Sequence, residues 1–446
     1  MGSVQGLISS TWRRIASLLD QIHGYLVLPA LLSFFLSLRA AINLPLSHDE
    51  FYTLHAIQEG LDLHLWEAPL LPYYAVEWVA TGGGTLDSDL GLRLISVAAV
   101  VTTVACVAEA ARQMASKRSG YLAGFLVAVS GVALTRAADA RPYVLGLAIF
   151  AVSLLLLLRM ISRQTRLSSI AYGATLVLGL IIMPQGIVVL IPHAMIVLRH
   201  QKTGSLLKKW SLSILPVAVL VLIGTTLALL NVFPQMHNWL GSPALNQIAD
   251  GLLWAGGAGN TNIGAESGIA LALIVLGLTS NRSWSLTLGA LLGAAVLFLG
   301  SQGGTSFWTH GSFITLVPIV IIAASIALSE LRQRSMLTIF VTLLIVSLPI
   351  YTNARMPRTG EADLRQAVSL LEKSESGPSV VFGDPTDAYG LWPAILHYSL
   401  DSSKYSPTRS PSGEYWSVYG SDACLPLQSW DVGGQATLKW CAAPES

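Results

Sequence analysis

Charge is what this sequence has least of. Lys, Arg, Asp and Glu together make up 11% of its residues, where a soluble globular domain carries about 25%. A folded soluble surface is built largely from those four residue types, so a soluble enzyme is excluded. Intrinsic disorder is excluded too, because 53% of the residues are hydrophobic and disordered chains are poor in such residues. Net charge is only +1, and no basic stripe is present, which excludes a nucleic-acid partner. Three cysteines are too few for a disulfide scaffold. No phosphate-cradling glycine motif follows a strand, so no nucleotide site is expected. What remains is a polytopic membrane protein, and a mean hydropathy of +0.60 agrees.

A bilayer core takes about 20 apolar residues as helix. Such runs recur at roughly 24–45, 92–111, 120–135, 143–159, 168–183, 187–198, 211–230, 267–280, 285–301, 312–329 and 335–351, about eleven spans. Lys and Arg concentrate on the cytoplasmic side of membrane proteins. With a cytoplasmic N-terminus, fifteen basic residues up to position 351 fall inside and four outside, namely Arg39, Arg93, Arg136 and Arg141. Residues 1–23 are then a polar cytoplasmic segment, and the first apolar run is a signal anchor without a cleavage site. Residues 24–351 form the transmembrane domain, in the cell (plasma) membrane.

Residues 352–446 carry 11 of the 25 acidic residues and are expected to form a small extracytoplasmic α/β domain. Glu361–Ser374 has helical periodicity, and Ser379–Phe382 suits a short strand. Cys424 and Cys441 both lie on the oxidising side, where a disulfide forms readily. Two free thiols are the alternative.

The acidic residues are unevenly placed. Fourteen precede position 352, and eight of these lie in one outer loop, residues 46–91. A loop of this length is long for a connector and is usually functional. Its pieces Tyr52–Ile57 and Tyr73–Val79 are amphipathic and suit the membrane surface. Asp49 and Glu50 follow the first span directly. Low dielectric and a neighbouring acid both raise a carboxylate's pKa and make it a better general base near neutral pH. The alternative is a solvated pair that caps a helix. His48 beside them makes a divalent-metal site conceivable, although the spacing is not diagnostic.

A second outer turn reads Thr135-Arg136-Ala137-Ala138-Asp139-Ala140-Arg141-Pro142-Tyr143. Guanidinium suits bidentate phosphate binding; the alternative is an arginine reaching for lipid headgroups. Asp139 is placed to pair with one of them. Arg93 pairs with Asp89 or Asp87, or reaches the site. Gln185, at the Pro184-Gln185-Gly186 break, is a further candidate contact for lipid or sugar. A carboxylate base and an arginine at the outer interface suit a lipid phosphate that carries a group to be transferred.

At these residues the chain resembles the GT-C superfamily of membrane glycosyltransferases, nearest the branch of aminoarabinose transferase, protein O-mannosyltransferases and lipopolysaccharide-core glycosyltransferases. Asp49-Glu50-Phe51-Tyr52 matches the acidic-aromatic start of the family's first outer loop. Glu67-Ala68-Pro69-Leu70-Leu71-Pro72-Tyr73-Tyr74 stands where relatives have His-Pro-Pro-Leu-Tyr-Tyr. Leu92-Arg93-Leu94-Ile95-Ser96 and Asp139-Ala140-Arg141-Pro142-Tyr143-Val144-Leu145 match two further motifs, and Asp363-Leu364-Arg365 resembles the start of an outer C-terminal domain.

The resemblance implies a GT-C fold and an inverting transfer from a polyprenyl-phosphate sugar to an acceptor hydroxyl on a glycan, glycolipid or protein. Asp49 would be the base and Glu50 its partner. Arg141, with Arg136, Arg93 and His310, would meet the donor phosphate. His48, Tyr52, His55, Glu67, Tyr74, Asp139, Tyr143 and Gln185 would line the substrate site. Within that resemblance the expected donor carries a mannosyl or arabinofuranosyl group for cell-envelope synthesis. The alternatives are a protein O-mannosyltransferase and a flippase for a lipid-linked sugar.

Overall fold

The computed structural model describes residues 23–44, 46–58, 61, 70–86, 88–201, 204–229, 243–256, 264–302, 310–331, 335, 338–339, 364–373, 397, 415–417, 425–431 and 437–442. They form a mainly helical, multi-pass membrane protein. The first helices are α1 (Gly24–Asn43), α2 (His48–Gln58), α3 (Leu71–Ala80), α4 (Asp89–Met114), α5 (Lys117–Ala128) and α6 (Gly131–Ala137). Then come α7 (Pro142–Arg163), α8 (Arg166–Ile182), a 3₁₀ segment at Pro184–Val189, α9 (Leu190–His200) and α10 (Ser205–Leu229). The series continues with α11 (Ile248–Ala255), α12 (Gly264–Thr279), α13 (Trp284–Ser301), α14 (His310–Phe313), α15 (Val317–Glu330) and α16 (Leu364–Lys373).

Among the described residues six helices are long and apolar enough to cross a membrane, or seven if α5 and α6, bent by 52° at their break, count as one span. Helices occupy ten of the eleven expected runs, but three are short. α8 has 17 residues and α9 has 11, with Pro184 between them, and α12 has 16. The run at 335–351 lies almost wholly outside the described residues.

Side-chain caps set where several helices begin. Ser88 Oγ accepts from Gly91 N–H at 3.1 Å at the head of α4, and Ser116, Ser130 and Thr165 do the same for α5, α6 and α8. Each satisfies a backbone N–H that the helix itself cannot.

The hairpin-like pair α4–α5 packs with α1 and α7, and α15 runs through the middle against α4, α5, α12 and α13. The apolar stretch from Gly311 through α15 is buried, whereas α10 is largely exposed. A helix apolar all round is either interior or lipid-facing, and this chain has both kinds. Three antiparallel strands, β1 (Tyr415–Ser417), β2 (Leu425–Asp431) and β3 (Thr437–Ala442), pair in the order β1-β3-β2. The expected strand at 379–382 and Cys424 lie outside the described residues, as does the side chain of Cys441 in β3.

The described residues of the loop between α1 and α4 are mostly helical. They fold into α2 and α3, which pack against each other and, through α3, against α4 and α8. After α3 the chain reverses at Gly82, Gly83 and Gly84, all with left-handed φ of 64°, 73° and 83°. Only glycine adopts these angles without strain. A Cβ on Gly84 would also lie 3.2 Å from the Ile57 carbonyl oxygen of α2, so this turn seats α3 against α2.

Candidate active site

Glu50 and Arg93 form a buried knot. Arg93 donates from Nε to Glu50 Oε1 at 2.7 Å and from Nη2 to Oε2 at 2.6 Å, the two-pronged geometry guanidinium suits. Its Nη1 donates to the carbonyls of Ala41 at 3.0 Å and Leu44 at 2.6 Å, at the end of α1. Glu50 accepts two more bonds, from Ser47 N–H at 2.7 Å and Ala140 N–H at 2.8 Å. Both side chains are essentially inaccessible, at 0% for Glu50 and 1% for Arg93. The knot therefore joins α1, α2, α4 and the turn before α7. It corrects two expectations. Arg93 is bound to Glu50 and to helix-end carbonyls, whereas Asp89 meets His397 and Asp87 lies outside the described residues. Glu50, four times hydrogen-bonded, is a structural acid with no surface for an acceptor.

Asp49, one residue earlier, faces outward with 47% of its side chain exposed. Arg141 stands beside it. Pro142 opens α7 and disfavours helical backbone at the residue before it, so Arg141 is extended, with φ −136° and ψ 161°. Its Nη1 donates to the Asp49 carbonyl at 3.3 Å and to Tyr74 Oη at 3.4 Å. Its Nε lies 4.0 Å from Asp49 Oδ2 and is buried with no hydrogen-bond partner. Burial opposes the charged guanidinium, but Asp49, Tyr74, Tyr143 and Asp139 outweigh it and hold its pKa above the usual range. Arg141 is thus a permanent cation with loosely made bonds and a donor in reserve.

The turn before α7 is tied down at several points. Arg136 Nη1 donates to Asp139 Oδ2 at 2.7 Å, and its guanidinium lies 4.8 Å from the Tyr143 ring centre, a cation–π contact. Asp139 therefore pairs with an arginine as expected, and the partner is Arg136. Its carbonyl accepts from Ser96 Oγ at 2.7 Å, and Thr53 Oγ1 donates to the Ala140 carbonyl at 2.8 Å. The Tyr143 ring also lies against Gly311 of α14, where a Cβ would come within 2.2 Å.

The remaining candidates divide. Tyr74 is fully buried and reaches Arg141; Tyr52 is buried on α2, and His55 is exposed on the same helix. His48 opens α2 and His310 opens α14, but their side chains lie outside the described residues, as does Glu67. Gln185 is half-buried in the 3₁₀ segment that packs beside α14. Among the described residues no group of three or more His, Cys, Asp or Glu can hold a metal ion.

Two groups escaped sequence reasoning. Glu77 on α3 is fully buried and accepts from Tyr73 Oη at 2.7 Å. Its signal was an acid inside an otherwise apolar decapeptide, one turn after a tyrosine. His397 Nε2 lies 2.8 Å from Asp89 Oδ1 at the start of α4, and its ring meets Phe51 of α2 edge-on at 6.1 Å. No local pattern announces that contact.

An exposed carboxylate, Asp49, thus stands beside a buried arginine, Arg141, at the heads of α2 and α7. Residues 71–229 match the family model described as dolichyl-phosphate-mannose-protein mannosyltransferase. No curated protein sequence matches the chain. The fold is similar to that of ArnT from Cupriavidus metallidurans in the apo state, with a TM-score of 0.57 at 12% identity over 95% of this chain and 99% of that one. The same protein bound to undecaprenyl phosphate aligns with a TM-score of 0.54 at 13% identity, over 95% and 98%. The matching family and these neighbours belong to the GT-C superfamily of glycosyltransferases, and the chain shares their fold.

Proposed function

We propose that the protein is an inverting glycosyltransferase that moves a sugar from a polyprenyl phosphate to an acceptor hydroxyl at the outer membrane face. The topology that goes with this reading has about eleven spans, a cytoplasmic N-terminus and residues 352–446 outside. Asp49 takes the proton from the acceptor hydroxyl. The hydroxyl oxygen attacks the anomeric carbon as the bond from that carbon to the phosphate oxygen breaks, and polyprenyl phosphate leaves with the electron pair. Arg141 stabilises the charge that develops on the departing phosphate. Single displacement from the face opposite the phosphate inverts the anomeric centre.

The observation that carries this reading is the pairing of an exposed carboxylate with a buried, incompletely bonded guanidinium. The bound lipid in the ArnT neighbour supports a polyprenyl-phosphate donor. The sugar is proposed as mannose or arabinofuranose, and the acceptor as a glycan or glycolipid of the cell envelope. Incubating purified protein with radiolabelled polyprenyl-phosphate mannose or arabinose and a membrane glycolipid fraction tests the reading. A new glycosidic bond that Asp49→Asn abolishes is the expected result. Label that crosses vesicles without forming a bond would identify a flippase instead.

A further inference from the structure

The outer loop holds one buried acid that the proposed reaction leaves idle. Glu77 Oε1 accepts from Tyr73, but Oε2 is buried with no hydrogen-bond partner. Such an oxygen is rare in folded proteins, because its lost hydration goes uncompensated whether the carboxyl is neutral or ionised. Burial raises the carboxyl's pKa, the Tyr73 bond lowers it, and Glu50 raises it further, to about 7. An ordinary glutamate titrates near 4.3, so this one changes charge in the neutral range.

Two short routes join Glu77 to Arg141. Tyr73 stacks beside Tyr74 with ring centres 5.9 Å apart, and Tyr74 Oη meets Arg141 at 3.4 Å. Glu50, which acts on Glu77 by charge, also accepts the Ala140 N–H that precedes Arg141. Among the described residues the ionisable groups acting on Glu77 are Glu50 on α2, held by Arg93 of α4, and Tyr73 on its own helix. Asp139 and Arg141 of the turn act on Tyr73 in addition.

We propose that Glu77 is a positioning residue which, through Tyr73 and Glu50, sets the grip of Arg141 on phosphate: firm when Glu77 is neutral, looser when it is ionised. The proposal rests on Arg141 being the phosphate-binding group. An ionised Glu77 sets a second negative charge against Glu50. The repulsion loosens the Glu50 bond to Ala140 and with it the backbone that presents Arg141. Grip is therefore greatest below neutrality and weakens as pH rises through the Glu77 transition.

Binding of undecaprenyl phosphate alone to the purified full-length protein tests this without knowledge of the sugar. Dissociation constants are measured at pH 6 and pH 8 for the wild type, Glu77→Gln, Tyr73→Phe and Arg141→Ala. The lipid's own ionisation affects the wild type and Glu77→Gln alike, since both keep Arg141. Gln keeps an acceptor for Tyr73 but never ionises, so the wild type should lose about fivefold more affinity across this range than Glu77→Gln, at the low end of typical coupling between sites. Tyr73→Phe removes the bond that favours the ionised form, so its transition should move to higher pH. Identical pH dependence in wild type and Glu77→Gln, or an unmoved transition in Tyr73→Phe, overturns the proposal. Undiminished binding by Arg141→Ala instead sinks the phosphate assignment beneath it.

Discussion

Asp49 and Glu50 are consecutive residues with opposite surroundings. Glu50 points inward, is dry, and is held by four hydrogen bonds from Arg93, Ser47 and Ala140. Asp49 points outward, is half-exposed, and meets Arg141 only at 4.0 Å. Each acid has an arginine, yet one pair is closed and the other open. In a helix adjacent side chains diverge by about 100°, so a two-residue acidic motif can serve two purposes. The inner acid anchors the loop to the spans, and the outer one is left accessible for chemistry. The lesson is that completeness of bonding, more than proximity to the motif, separates a scaffold charge from a working one.

That contrast can be broken in graded steps. The largest effect on stability is expected for Arg93→Ala, which leaves Glu50 buried without a counter-charge and should cost about 3–5 kcal/mol. Thermal unfolding in detergent measures it, and a variant as stable as wild type would remove the distinction between the two pairs. Asp49→Asn should leave that unfolding curve in place while lowering the turnover number about 10²–10⁴-fold, the range for a lost general base. Arg141→Ala should weaken polyprenyl-phosphate binding about 10–100-fold, as expected for one charged hydrogen-bond donor. Arg141→Lys should recover little of that, because a lysine lacks the planar fork, and titration with the lipid distinguishes the two. Smallest is Thr53→Val, which removes the bond to the Ala140 carbonyl and should lower stability by about 1 kcal/mol. A slight rise in donor KM with unchanged turnover would show that the bond serves the Arg141 turn.

Much of the fold was legible because its signals are local. Apolar runs mark helices, but the starts that Ser88, Ser116, Ser130 and Thr165 cap were not read, because the capping residues are polar and lie outside the apolar stretches or, for Ser130, interrupt one. The Asp139–Arg136 pair was legible, since a spacing of three on a short helix brings the two side chains together. Arg93 was misread because its partner lies 43 positions away, a separation that no periodicity encodes. Its motif drew attention to the right residue and concealed its duty. Glu77 was passed over because an amphipathic segment at a membrane surface is allowed one acid on its wet face. Only the packing of α3 against α2 and α4 turns that face inward.

The contact between His397 and Asp89 bridges 308 positions. Ribosomes make a chain from its N-terminus, at about 5–20 residues per second. The bond that ties His397 to α4, beside the helix bearing Asp49, therefore cannot form until most of the molecule has been synthesised. Truncated or stalled chains would carry Asp49 and Arg141 yet lack this closure. Assembly of this end of the molecule thus has a built-in order, with the acidic helix made first and its His397 neighbour arriving last.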